Sequence, residues 1–256
     1  MGTTKNQSEL NLEIEAFIKH KDATNQGYSD KDKEFINQYI GAGGESASGK
    51  TGEGILYEFY TPSYIVELMW ELAVHFGFKA GGHVLEPACG TGRFFAHSPT
   101  GSKLTGFETN PTSARIADIL YPDAEIHNLY FENAFMEPPR YVSRIRQGLT
   151  WLKDYPFDLI IGNPPYGKYK NFYSSYFGWP KVILNEMFFM YYGLKMLKKG
   201  GLLVYIIPDR FMRNGASYSQ MKKEMGWLCK LLDAYHLPPV FSKTSVATDI
   251  VVLQRT

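Results

Sequence analysis

The chain has 256 residues, 44% of them hydrophobic and 21% charged. That length gives room for one α/β domain of about 200 residues plus an appendage, and the composition excludes disordered, collagen-like and disulfide-scaffold proteins. Two cysteines, Cys89 and Cys229, and six scattered histidines argue against a disulfide framework or a structural metal, and the net charge of +1 hides a strong asymmetry. Residues 1–58 carry 6 basic and 10 acidic side chains, residues 59–139 carry 4 and 9, and residues 140–256 carry 17 and 7. A C-terminal half this basic suits a polyanion-facing surface, because neutralised phosphates release counterions; a solvated lysine face is the alternative. No run reaches the roughly 18 apolar residues of a membrane span, and the start MGTTKNQSEL lacks a signal-peptide pattern, so a cytoplasmic location is expected.

In chain order, residues 1–55 read as a helical extension and a glycine-rich loop. Leu10, Ile14, Phe17 and Ile18 fall at helical spacing, and Ser29 caps a second helix carrying Phe35, Ile36, Tyr39 and Ile40. The loop includes Gly44–Thr51, GESASGKT, which matches a phosphate-loop pattern letter for letter. That chemistry needs a buried strand feeding the loop and a helix leaving it; neither is present, so a glycine-rich connector is expected. Thr61 and Pro62 then start a helix with Ile65, Val66, Met69, Leu72, Ala73 and Phe76 on one face. From there HVLEP, LTGFE, AEIHNLY, FDLIIGN, LLVYIIP, LLDAYHLP and DIVVLQ read as strands, mostly separated by helix-length segments. The alternation predicts an α/β fold whose seven-stranded sheet is mostly parallel and covered on both faces, and the short final connection predicts an antiparallel strand at one edge.

Three stretches carry the chemistry. After the first strand comes ACGTGRF, where Gly90 and Gly92 let the backbone turn tightly and approach a ligand at the carboxyl end of the sheet. Glu108 ends the next strand 22 positions after Glu86, near the roughly 20-residue offset at which a carboxylate reaches ribose hydroxyls. Directly after the buried run FDLIIG stands Asn163-Pro164-Pro165-Tyr166. Two prolines force the chain out of the sheet; the Asn163 side-chain oxygen and the Pro164 carbonyl can then accept both hydrogens of a planar amine, while Tyr166 can stack on the ring that bears it.

VLEPACGTGRF, GFETN and DLIIGNPPYG together resemble the N6-adenine-specific DNA methyltransferases of the class whose cofactor motif precedes the Asn-Pro-Pro-Tyr motif, a type of enzyme used in restriction-modification. The resemblance runs from about Leu56 to Gln254. It implies a Rossmann-like methyltransferase domain over residues 56–256, S-adenosyl-L-methionine as cofactor and duplex DNA as partner. By resemblance, Glu86, Ala88, Cys89, Gly90 and Gly92 lie near the methionine part of the cofactor, Tyr60 and Thr61 close over it, Asn163 borders it and Glu108 holds its ribose. ENAF at 132–135 resembles the stretch that reads the cofactor adenine, with Phe135 as the packing ring. Ala134 stands where the family often has an acid, which shifts that recognition to Asn133 or a backbone group. FSKTSVATDIVVLQR at 241–255 resembles the target-base hairpin, with Phe241 as a second stacking ring beside Tyr166.

After the motif, GKYKNFYSSYFGW alternates lysines with aromatic rings, so Lys168 and Lys170 are candidates for phosphate contact; an aromatic cluster packed under a loop is the alternative. The same tetrapeptide also serves glutamine N5-methyltransferases and RNA amino methyltransferases, and a noncatalytic cofactor- or DNA-binding subunit is a further reading. The family's usual target-recognition domain has no counterpart in these residues, which leaves sequence recognition to a separate specificity subunit or domain, or to the insertions near 138–155 and 167–180.

Overall fold

The computed structural model describes residues 6–40, 61–136, 156–169, 184–213, 216–239 and 246–256. Its strands are β1 (His83–Glu86), β2 (Lys103–Phe107), β3 (Glu125–His127), β4 (Phe157–Gly162), β5 (Leu197–Pro208), β6 (Cys229–His236) and β7 (Thr248–Arg255). Each of the seven strand-like runs in the sequence is therefore a strand. They form one sheet in the order β3-β2-β1-β4-β5-β7-β6. The first five positions pair in parallel, and β7 runs antiparallel to both β5 and β6. The reversed strand thus lies one place in from the edge that β6 forms.

The central strands are apolar on both faces because both are covered. Helix α3 (Ser63–His75) lays Ile65, Val66, Met69, Trp70 and Ala73 against Val84, Leu159, Ile161, Val204, Ile206 and Val252. On the other face α5 (Asn185–Met196) packs Phe188, Met190 and Leu194 against Leu85, Ile160, Leu203 and Tyr205. Each such aliphatic or aromatic side chain stabilises the fold by about 1.5–3 kcal/mol relative to exposure.

At the amino end, Asn6 with Glu9 and Ser29 with Asp32 form reciprocal capping boxes that start α1 (Gln7–Ala23) and α2 (Asp30–Ile36). Ile14, Ile18, Ile36 and Tyr39 from this pair bury against Ile116 and Ile119 of α4 (Pro111–Leu120). Arg115 of α4 adds a two-pronged contact to Asp22, at 3.0 and 2.7 Å, and holds that carboxyl below its ordinary range. Both side chains are roughly two-fifths exposed, so the pair is worth at most about 1 kcal/mol and the apolar contact does most of the holding.

One connection departs from the expected strand–helix rhythm. Between β1 and β2 the chain makes only a short 3-10 turn, Arg93–His97, whose Phe94 and Phe95 are both buried. The indole Nε1 of Trp70 donates to the Phe94 carbonyl at 2.7 Å and ties this turn to α3.

Candidate active site

In a parallel sheet the carboxyl ends of the strands share one edge, and chain connections diverge to either side of the junction between β1 and β4. Such a switch point leaves a crevice. Glu86 ends β1 there, and Gly162 ends β4. A Cβ on Gly162 would stand 3.3 Å from the Glu86 Cγ, so any side chain there would press on Glu86.

Glu86 is 3% exposed, and its Oε2 has no hydrogen-bond partner among the described residues. Burial, and after it the nearby Glu108, push its carboxyl well above the usual carboxylate range. The loop leaving β1 is stitched to the end of β2: the Cys89 amide donates to the Phe107 carbonyl at 2.9 Å, and the Gly90 amide donates to Glu108 Oε2 at 2.9 Å. Glu108 Oε1 takes the Asn110 amide at 2.7 Å, while Asn110 itself caps α4 by accepting from Thr112 and Ser113. These bonds draw the Glu108 carboxyl down, but desolvation outweighs them and it still titrates high. The Cys89 thiol is likewise pushed up by burial and by both carboxylates.

The two loop glycines differ in what they need. Gly92 has φ +79°, and a Cβ there would meet the Tyr121 ring at 2.8 Å, so both conformation and space demand glycine. Gly90 has φ +53° but open space where a Cβ would lie. Together the open ground over Gly90 and the partnerless Glu86 oxygen fit the amino and sulfonium groups of S-adenosylmethionine. A cation there would satisfy an acceptor that burial otherwise leaves costly. Half-buried Ala88 packs on the core beside this loop.

The tetrapeptide Asn163–Tyr166 leaves β4 as expected from its prolines. Asn163 Nδ2 donates to Thr61 Oγ1 at 3.4 Å, which joins the FYTP stretch to the tetrapeptide across 102 residues. Tyr166 does not lie open: its ring packs on the α3-side core, and its hydroxyl donates to Asn163 Oδ1 at 2.5 Å, with the Ile206 carbonyl as a second acceptor 3.3 Å away. Burial, and then Glu186, push the phenol well up, so it stays protonated and remains a donor. The oxygen that the sequence reserves for an incoming amine is therefore already loaded by the tyrosine.

ENAF also holds a difference. Phe135 is 3% exposed and its ring stacks on Tyr192 of α5 at 4.8 Å and 10°. Ala134 is buried, and Asn133 Nδ2 donates to the Met136 carbonyl at 3.4 Å. The acid of this stretch, Glu132, is buried and accepts the Tyr169 hydroxyl at 2.6 Å. It braces the chain after the tetrapeptide from inside the core. Lys168 is exposed and forms an antiparallel bridge with Leu184. Tyr60, Lys170, Phe241 and the GESASGKT loop lie outside the described residues.

Sequence reasoning passed over a second polar group beside the tetrapeptide. Glu186, in the first turn of α5, is fully buried; Oε2 accepts the Gly167 amide at 3.1 Å, and Oε1 accepts the Tyr218 hydroxyl at 2.9 Å. Arg210, just past β5, donates through Nε to the Tyr218 oxygen at 2.8 Å and reaches Glu186 Oε1 at 3.5 Å. The available signal was a lone acid inside the apolar run ILNEMFFMYY, since a buried carboxylate requires partners. Among the described residues no cluster of His, Cys, Asp and Glu could hold a metal ion, and no helix is long and apolar enough to cross a membrane.

The sheet order, the reversed β7 and the strand-end carboxylates define the fold of S-adenosylmethionine-dependent methyltransferases. A methyltransferase subunit of a type I restriction-modification system from Streptococcus thermophilus superposes with a TM-score of 0.62 at 20% identity, over 89% of this chain and 50% of that one. The chain belongs to the Eco57I restriction-modification methylase family, whose profile matches residues 103–241. It is 29% identical over 191 residues to the type II methyltransferase M.TthHB8I of Thermus thermophilus, covering 65% of this chain. It is 26% identical over 230 residues to the Defense against restriction protein B of Escherichia phage P1, covering 89% of this chain. The chain spans 37% and 9% of the lengths of those two relatives. Fold and family imply S-adenosylmethionine as the cofactor.

Proposed function

We propose that the chain methylates the N6 amino group of adenine in DNA, by direct transfer to a base turned out of the duplex. The observation that carries this reading is the placement of Asn163 at the end of β4, bonded to Thr61 and following Gly162, which abuts Glu86. S-adenosylmethionine, when bound, supplies a methyl carbon on a positively charged sulfur. Glu86 faces the cationic part of that ligand, and the lone pairs left on Glu108 accept ribose hydroxyls. Asn163 Oδ1 and the Pro164 carbonyl accept the two hydrogens of the adenine amine, which keeps its nitrogen lone pair free to attack the methyl carbon; the N–C bond forms as the C–S bond breaks, the electron pair stays on the departing sulfur, and the methylated amine then releases one proton to solvent. To make room, the Tyr166 hydroxyl releases Asn163 and the ring turns onto the base. The protein's share is then alignment and preplaced acceptors, the effects that dominate when reacting atoms must be brought within about 3–3.5 Å. Extrusion of the base costs a few kcal/mol, which contacts in the pocket and along the phosphates must offset.

We assign recognition of a target sequence to a further domain or a specificity subunit, a reading supported by the chain's 37% share of the Thermus relative. The same family supports action on DNA in the cytoplasm. The test is transfer of labelled methyl groups from S-adenosylmethionine to duplex DNA, single-stranded DNA, RNA and protein extract, with nucleoside digestion of the products. N6-methyladenine from DNA is the expected product. Label confined to RNA or protein overturns the substrate, and cofactor binding without any transfer moves the chain to a noncatalytic role.

A further inference from the structure

Resting on the DNA reading above, we infer that Arg210 is a preorganised contact for a DNA phosphate at the mouth of the site, held in place by Tyr218 and the buried Glu186. Arg210 follows directly on the carboxyl end of β5, whose Tyr205 is paired with Gly162 at the end of β4. It is thus next to the crevice on the side away from Glu86. Its guanidinium is fastened along one edge only: Nε donates to Tyr218 Oη at 2.8 Å and Nη2 reaches Glu186 Oε1 at 3.5 Å. Nη1 has no partner among the described residues, and 56% of the side chain is exposed while Glu186 is wholly buried. An arginine built only to neutralise Glu186 would be drawn in with it. This one instead turns a free edge outward, with its long side chain already fixed.

Guanidinium is the group suited to this role, because its planar fork matches phosphate oxygens and its charge persists at any working pH. Fixing the fork in advance lowers the entropy lost on contact. The surroundings are cationic as well. Lys222 lies over the Phe211 ring at 5.1 Å and donates to the Arg213 carbonyl, and Lys168 is exposed after the tetrapeptide. Arg213 itself is paired with Asp209 at 2.6 Å, so Arg210 is the better-placed donor of the two. One carboxylate also links phosphate contact to the catalytic loop, since Glu186 Oε2 holds the Gly167 amide while Oε1 serves Tyr218 and Arg210. Glu186 and Tyr218 are positioning residues; Arg210 touches the substrate.

The test is binding of a labelled duplex to the full chain as a function of potassium chloride, read by fluorescence anisotropy. For Arg210→Ala the slope of log affinity against log salt is expected to fall by about 0.9, the value of one lost phosphate contact, at every duplex sequence. Tyr218→Phe keeps the charge and loses its orientation; affinity should fall severalfold at an unchanged slope. Arg213→Ala should leave the affinity within about twofold of wild type. Removing Arg210 strands a buried charge, so Arg210→Ala/Glu186→Gln is measured alongside it and should show the same loss of slope. An unchanged slope in the double variant, in a wild-type chain that methylates DNA, overturns the phosphate contact alone. A wild-type chain with neither transfer to DNA nor salt-dependent binding to it overturns the DNA reading and this inference with it.

Discussion

The two halves of the carboxyl edge are built from opposite materials. On the β1–β2 side the strands end in carboxylates, Glu86 and Glu108, which burial forces to titrate high. On the β4–β5 side they lead into an asparagine, a tyrosine and an arginine, with Glu186 fully buried behind them and Asp209 paired with Arg213. In the function proposed above, the first half meets the cationic cofactor and the second the amine of a base in DNA.

Separate damage to each half sharpens this contrast. The largest effect is expected from Asn163→Ala, which should lower methyl transfer about 10²–10³-fold, the typical cost of removing one preplaced polar group at a reacting centre. Cofactor affinity measured by calorimetry should stay near wild type; an equal loss of both would merge the two halves into one site. Gly92→Ala should do the reverse, weakening cofactor binding first and destabilising the fold by about 1–3 kcal/mol, because Tyr121 must shift. Denaturant melts with and without cofactor separate those terms.

Glu86→Gln probes the charge itself. Because the folded protein holds the Glu86 proton above the range of an unfolded glutamate, it binds more protons than the unfolded chain. The stability this contributes is complete below the unfolded pKa of about 4.3 and is lost as pH rises towards the folded value. The glutamine variant should therefore unfold with a flatter pH dependence over that window and bind cofactor less well at neutral pH; an unaltered pH profile would remove Glu86 from the buried pair. Tyr166→Phe deletes the hydroxyl on Asn163 but keeps a ring for stacking. Transfer should stay within about tenfold of wild type, against a collapse in Tyr166→Ala, since base stacking is worth about 1–3 kcal/mol. The smallest effect belongs to a control in neither half, Arg115→Ala, at no more than about 1 kcal/mol of stability and no change in transfer.

Much of the fold was legible because its signals are local. FDLIIG and LLVYII are too apolar for a half-exposed strand, and Ser29 announces the second helix by a cap that the structure contains. The short turn after β1 was less so, because Phe94 and Phe95 resemble a helix start until Gly92 and Trp70 fix where they point. At the site, residue types could be read but side-chain directions could not. Asn163 and Tyr166 are three positions apart, yet the second acceptor near the Tyr166 hydroxyl is the Ile206 carbonyl of β5, 40 residues further on. Phe135 faces Tyr192 and the core for the same reason: the partner lies on a helix that no local spacing brings near. Glu186, Tyr218 and Arg210 come from three elements, and each alone looks ordinary.

The bridge between Lys168 and Leu184, reinforced by the Asn185 amide on the Gly167 carbonyl at 2.7 Å, closes the chain on itself immediately after the tetrapeptide. Whatever is strung between those two points begins and ends at the same place, and the entropy of closing such a loop grows only slowly with its length. The position is therefore a natural socket: segments of different length and composition could be exchanged there without disturbing the sheet.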